Sequence, residues 1–126
     1  MELECVVLVA DDEPGVRSFA SRIIKSAGYA VLEARDGVEA LGMVHASGAE
    51  LRLVITDVRM PRLRGDQLAS RLAAERPDVS VLFMSASPPS GLEMLAEEER
   101  QSRWLRKPFT PGTLTGMVAR YLGAKR

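Results

Sequence analysis

Short apolar runs alternate along the chain with longer segments whose apolar residues recur every three or four positions. The runs "CVVLVA" (5–10), "AVLEA" (30–34), "LRLVIT" (51–56), "SVLFMS" (80–85) and "RWLRK" (103–107) are predicted strands. The first, third and fourth are nearly continuous in Val, Leu, Ile, Phe and Met, the pattern of strands buried on both faces. Between them, "PGVRSFASRIIKSAG" lines up Val16, Phe19, Ala20, Ile23, Ile24 and Ala27 at helical spacing, with Pro14 suited to the first turn and Gly28 to the stop. "GVEALGMVHAS" offers Val38, Leu41 and Val44, and "GDQLASRLAAERP" offers Leu68 and Leu72 before a proline stop. "PGTLTGMVARYL" offers Leu114, Met117, Val118, Tyr121 and Leu122. The pattern is weakest between Pro88 and Ser102. Leu92, Leu95 and Ala96 permit a helix there, with "EEER" (97–100) as a solvated face. Five strands alternating with five helices predict right-handed crossovers and a parallel sheet covered on both faces.

In an open sheet of this kind, ligands bind at the carboxyl ends of the strands. The first predicted strand runs into Asp11 and Asp12 within "VLVADDEP", and the third runs into Asp57. The fourth ends at Ser85 and the fifth at Lys107-Pro108. Carboxylates gathered at one edge repel each other unless something positive compensates them. Hard oxygen ligands suit magnesium, or manganese. A lysine and a small hydroxyl suit the remaining oxygens of a phosphoryl group. The missing positive partners are therefore a divalent cation and Lys107.

At 126 residues the chain is predicted to be one domain, 1–126, with its own core. A formal net charge of zero supplies no field favouring nucleic acid or an anionic membrane. Cys5, the single cysteine, precludes an internal disulfide, suits a reducing cytoplasm, and is predicted to be a buried strand residue. No apolar stretch has the length of a membrane span, and the N-terminus lacks a signal-peptide pattern.

"VADDEP", "VITDVRMPRLRGDQL", "VLFMSAS" and "WLRKPF" together resemble the signature of bacterial two-component receiver domains, in order and over essentially the whole chain. The resemblance implies an α/β, flavodoxin-like, doubly wound sheet of five parallel strands in the order 2-1-3-4-5 with five helices. It implies that Asp57 attacks the phosphohistidine of a sensor histidine kinase or phosphotransfer protein and becomes an aspartyl phosphate. Asp12 would ligate magnesium directly, and Asp11 directly or through water. Asp57 and the backbone carbonyl of Arg59 would complete the protein ligands. Ser85 and Lys107 would hold the phosphoryl oxygens, and Pro108 matches the family's cis-proline. Gly65 would let the loop turn into the third helix. Ser85 and Trp104 would form the switch, read by a downstream protein on the face of the fourth helix, fifth strand and fifth helix. Leu95, Arg103, Arg106, Arg120 and Tyr121 are the candidate contacts there, with no nucleic acid or membrane expected. Such a domain is not an enzyme, but an acceptor that assists its own phosphorylation and dephosphorylation.

Three positions depart from the common pattern of those domains. Arg59 is long and basic where shorter residues are frequent, and either reaches toward the phosphoryl group or pairs with Glu13. "ASPPSG" carries two prolines that delay or shorten the fourth helix. Trp104 stands where Tyr or Phe is usual. Other residues have plain structural explanations: His45 is most simply a solvated helix residue, and Met60, Met84 and Met94 are packing. Only "GAKR" follows the fifth helix, so the expectation is a stand-alone receiver or one from the C-terminal end of a hybrid sensor kinase. Two alternatives remain at this level. A small phosphatase with an aspartyl nucleophile would carry a second acid two residues on, where Arg59 stands. A non-phosphorylated pseudo-receiver would lack one of the key residues.

Overall fold

A computed structural model of the chain describes residues 4–89, 92 and 96–123. The elements are β1 (Val6–Ala10), α1 (Pro14–Ser26), β2 (Ala30–Ala34), α2 (Gly37–Ala46), β3 (Leu51–Asp57), α3 (Gly65–Glu75), β4 (Ser80–Ser85), α4 (Glu97–Arg103), β5 (Trp104–Arg106) and α5 (Pro111–Leu122). All strand pairings are parallel, and the order is β2-β1-β3-β4-β5. The expected doubly wound sheet is therefore present, with its strand order.

Strand alternation divides the core in two. Val7 and Val9 of β1, with Leu53 and Ile55 of β3, pack on Ala20 and Ile24 of α1 and Leu114 and Val118 of α5. Leu8 and Ala10, with Val54, pack on the opposite side against Ala40 and Val44 of α2 and Leu68 and Leu72 of α3. Because both faces are covered, β1 and β3 carry hardly a polar residue until they reach the sheet edge, where the carboxylates begin.

Several side chains differ from the sequence expectation. Val38 is 41% exposed, although Val44 is buried and Leu41 packs partly buried on the core as expected, and Gly37 and Ala40 take the remaining buried positions of α2. The cause is the loop before α3: a methyl group on Gly37 would come within 2.7 Å of the Leu63 carbonyl carbon, so the helix presents its bare backbone there. Phe19 is 45% exposed and meets Phe109 at 5.8 Å between ring centroids, at the rim of the α1–α5 contact rather than within it. Cys5 is half-buried just ahead of β1, packed on the edge of the core. The strand predicted over 103–107 is shorter, since Arg103 closes α4. The double proline has the expected effect: α4 begins only at Glu97 and has seven residues, none of them buried. Leu92 is buried, Ala96 caps α4, and Met94 and Leu95 lie outside the described residues.

Candidate functional site

The carboxyl edge of the sheet collects the site. Asp11 and Asp12 follow β1 directly, and Asp57 is the last residue of β3. One oxygen from each of the three carboxylates lies within 4.8 Å of the others. Asp11 is fully buried and Asp57 is 8% exposed, whereas Asp12 is open to solvent. Lys107, just beyond β5, places its Nζ 2.9 Å from Asp11 Oδ2 and 3.4 Å from Asp57 Oδ2. The Lys107-Pro108 peptide is cis, as the family pattern implied.

Backbone donors hold the carboxylates in place. The Glu13 amide donates to Asp11 Oδ1 at 2.9 Å, and the Val58 amide donates to Asp57 Oδ1 at 2.7 Å. These bonds direct the second oxygen of each group toward Lys107. The Arg17 guanidinium donates to the Asp11 backbone carbonyl at 2.8 Å and pairs with Glu33, which ties α1 to the turn that carries the acidic pair.

Burial is the largest influence on Asp57 and raises its carboxyl pKa above the usual 3.8. The charge of Asp11 adds to that rise, while the Lys107 ammonium and the Val58 amide oppose it. Burial alone would lower Lys107, but hydrogen bonds and charge from Asp11 and Asp57 outweigh it, and its pKa rises above 10.5. The site is thus short of positive charge even with its lysine. Its all-oxygen donor set, two of three carboxylates already desolvated, fits a hard divalent cation.

A stability consequence follows for Asp57. Its folded-state pKa lies above the unfolded one, so between the two values the unfolded chain binds fewer protons. Stability therefore falls as pH rises through that window. Without metal, Asp57→Asn should melt at a higher temperature than the wild type at neutral pH, and the difference should shrink as the pH is lowered into the carboxylate range. Melts in chelator across that range check this; a variant less stable than wild type at neutral pH would refute it.

The other predicted site residues fall around a cleft of about 420 Å³ bounded by Asp12, Asp57, Arg59, Arg64, Ser85 and Lys107. Ser85 ends β4 as expected, but its hydroxyl donates to the Ser87 carbonyl rather than toward Asp57. Trp104 is half-buried, and its indole N–H donates to the Ser85 carbonyl at 3.1 Å. Arg59 is exposed on the cleft wall and forms no ion pair with a described residue, so the pairing with Glu13 does not occur. Gly65 is needed for a different reason than a turn. A Cβ there would overlap the Asp57 carbonyl oxygen and lie 3.0 Å from Val58 Cα. The Gly65 amide also donates to the Val58 carbonyl at 2.8 Å, so α3 starts in direct contact with the end of β3.

His45 is not merely solvated. Its Nε2 lies 2.7 Å from Glu75 Oε1, joining α2 to α3 away from the cleft. Of the proposed signalling contacts, Arg106 and Arg120 share a groove with Trp104, together with Gln101 and Gly116. Arg103 and Tyr121 open instead onto a separate hollow beside Ala69, Ala73 and Phe83. Leu95 lies outside the described residues. Among the described residues, no helix is long and apolar enough to cross a membrane.

The family model of the response regulator receiver domain matches residues 7–119. This chain belongs to that family. Among curated relatives, the receiver is 34% identical over 116 residues to the sensor kinase CckA of Brucella abortus (strain 2308). That match covers 92% of this chain and 12% of the kinase. It is 33% identical over 116 residues to the transcriptional regulator NtrC of Rhizobium meliloti (strain 1021), covering 92% of this chain and 24% of that protein. The receiver therefore spans no more than a quarter of either. Among solved structures, the receiver domain of the hybrid histidine kinase CckA superposes with a TM-score of 0.76 at 32% identity, covering 93% of this chain and 98% of the other. The response regulator TrrA of Thermotoga maritima, solved with Mg2+-BeF, gives 0.77 at 25% identity over 93% and 98%. The role of this receiver is phosphoryl-accepting signalling in a two-component system.

Sequence reasoning missed Gly37, Arg17 and Arg64. The basic run "RMPRLR" was a signal for Arg64; nothing local marked the other two.

Proposed function

We propose that Asp57 is the phosphoacceptor of this receiver. Its carboxylate oxygen would form a bond to phosphorus as the phosphohistidine P–N bond breaks and the imidazole leaves with the electron pair. The observation that carries this reading is the position of Lys107 Nζ, 2.9 Å and 3.4 Å from two buried carboxylates at one sheet edge. Asp11, Asp12, Asp57 and the Arg59 carbonyl would hold Mg2+, which supplies charge neutralisation on the transferring oxygens. Lys107 would hold one phosphoryl oxygen. Ser85 would hold another once its hydroxyl turns away from Ser87.

That turn is the switch. The Trp104 indole is bonded to the Ser85 carbonyl, so movement of the strand end reaches the groove of Trp104, Arg106 and Arg120. A downstream protein would read that groove, while the donor is a sensor histidine kinase or phosphotransfer protein. The domain would act in the cytoplasm as one unit over 1–126, without turnover of a separate substrate. With magnesium and acetyl phosphate, the wild type should gain one base-labile phosphoryl group by intact mass, and Asp57→Asn should gain none. Equal labelling of the two proteins would overturn the assignment.

A further inference from the structure

The loop from Val58 to Arg64 carries the backbone carbonyl proposed for the metal, that of Arg59, and it is strained just beyond that point. The Leu63 amide donates to the Pro61 carbonyl at 2.8 Å, closing a three-residue turn around Arg62, whose φ is 72°. Among the described residues, no other non-glycine residue has a left-handed backbone. A tight turn of this hand is rare, and glycine would adopt it without steric cost. Such a conformation persists only where its surroundings over-determine it.

The surroundings here belong to the start of α2. Arg62 Nη1 lies 3.3 Å from Oδ2 of Asp36, a buried side chain whose other oxygen caps α2 by accepting from the Glu39 amide at 2.8 Å. Beside it, the bare backbone of Gly37 receives Leu63. A Cβ at Gly37 would overlap the Leu63 carbonyl oxygen and lie 2.5 Å from Leu63 Cβ. On the other side of the turn, Met60 is buried in the core that also contains Ala40 of α2. The Arg62 side chain is 60% exposed, so its ion pair adds little to stability. What the pair fixes is the path of the loop.

We infer that Asp36 is a positioning residue for the magnesium site: through Arg62 it holds the loop in a strained turn that sets the Arg59 carbonyl in place. The inference rests on Asp57 being the acceptor and on that carbonyl being a metal ligand. Asp36 borders neither the cleft nor the cluster of Asp11, Asp12 and Asp57, so it acts through the loop and not on the metal itself. Its distinguishing mark is a trade. Releasing the turn removes strain from the fold while loosening the site, whereas a contact kept only for folding would weaken both when lost.

The test uses Arg62→Gly, Asp36→Asn and the double variant, with magnesium binding followed by calorimetry and stability by thermal melts in chelator. Glycine accepts the positive φ and lets go of Asp36, so Arg62→Gly should melt no lower than the wild type. Asparagine caps a helix as well as aspartate does, so Asp36→Asn keeps α2 while giving up the ion pair. The first change removes a cation and the second an anion, so a field effect would move magnesium affinity in opposite directions. Loss of position weakens it in both, by about three- to tenfold, as for other groups that orient a metal ligand. The double variant should bind magnesium as the weaker single variant does, because both changes break one contact. Unchanged affinity in both, shifts of opposite sign, additive losses, or an Arg62→Gly protein melting well below the wild type would overturn the inference while leaving Asp57 as the acceptor. Continued labelling of Asp57→Asn by acetyl phosphate would remove both.

Discussion

Replacing Lys107 with methionine should destabilise the protein in chelator by about 3 kcal/mol, and magnesium should restore much of that loss. Methionine keeps the apolar stem and most of the volume, so the change isolates the ammonium. Without it, Asp11 and Asp57 lose a shared partner at 2.9 Å and 3.4 Å while both remain desolvated. Breaking a buried pair from one side costs more than the pair contributes, because the partner charge is left behind. The loss stays at the low end for such changes because Asp11 keeps the Glu13 amide and Asp57 keeps the Val58 amide. A divalent cation among the three carboxylates supplies the missing charge. The gain in melting temperature on adding magnesium should therefore be larger for Lys107→Met than for the wild type. A variant that melts with the wild type in chelator would mean the ammonium does not compensate the acidic pair.

Gly65→Ala should destabilise by about 3 kcal/mol and slow phosphorylation at least tenfold, through two distinct effects. The added methyl group has no low-cost way out. Its nearest neighbours are the Asp57 carbonyl oxygen, the Asp57 carbonyl carbon at 2.9 Å and Val58 Cα at 3.0 Å, all backbone. Either α3 shifts and loses the Gly65–Val58 hydrogen bond, or the end of β3 shifts and carries the Asp57 carboxylate away from Lys107. The two effects separate by experiment. Thermal melts report the packing, and labelling rates well below the melting transition report the displacement of Asp57. Wild-type values in both would show that the contact relaxes without consequence.

How much of this was legible beforehand varies with the physics involved. The strands were legible because β1, β3 and β4 sit in the middle of a sheet covered on both faces, which leaves runs of Val, Leu, Ile, Phe and Met without alternation. The carboxylates and Lys107 were legible because polar residues at the end of such a run mark the sheet edge. The face of α2 was legible only in part. Its periodicity marked Val44, which is buried, and Leu41, which packs on the core. It also marked the exposed Val38 and gave no sign of the close approach of Gly37 to Leu63, which joins positions 26 residues apart.

The same holds for Gly65 and Arg17. A glycine required by a close approach to Asp57 looks in sequence like a glycine required by a turn. Arg17 reads as a solvated helix residue until Asp11 and Glu33 are seen beside it. The Ser85 hydroxyl was placed correctly on the chain, yet its direction depends on the local path of Ser87, which no pattern encodes.

The most direct test of the account uses protein labelled with acetyl phosphate and magnesium and then reduced with borohydride. Reduction cleaves an aspartyl phosphate at its acyl–oxygen bond and leaves homoserine at the phosphorylated position, which peptide sequencing by tandem mass spectrometry locates. Homoserine is expected at position 57, with Asp11 and Asp12 unmodified. Homoserine at position 11 or 12, with Asp57 intact, would contradict it.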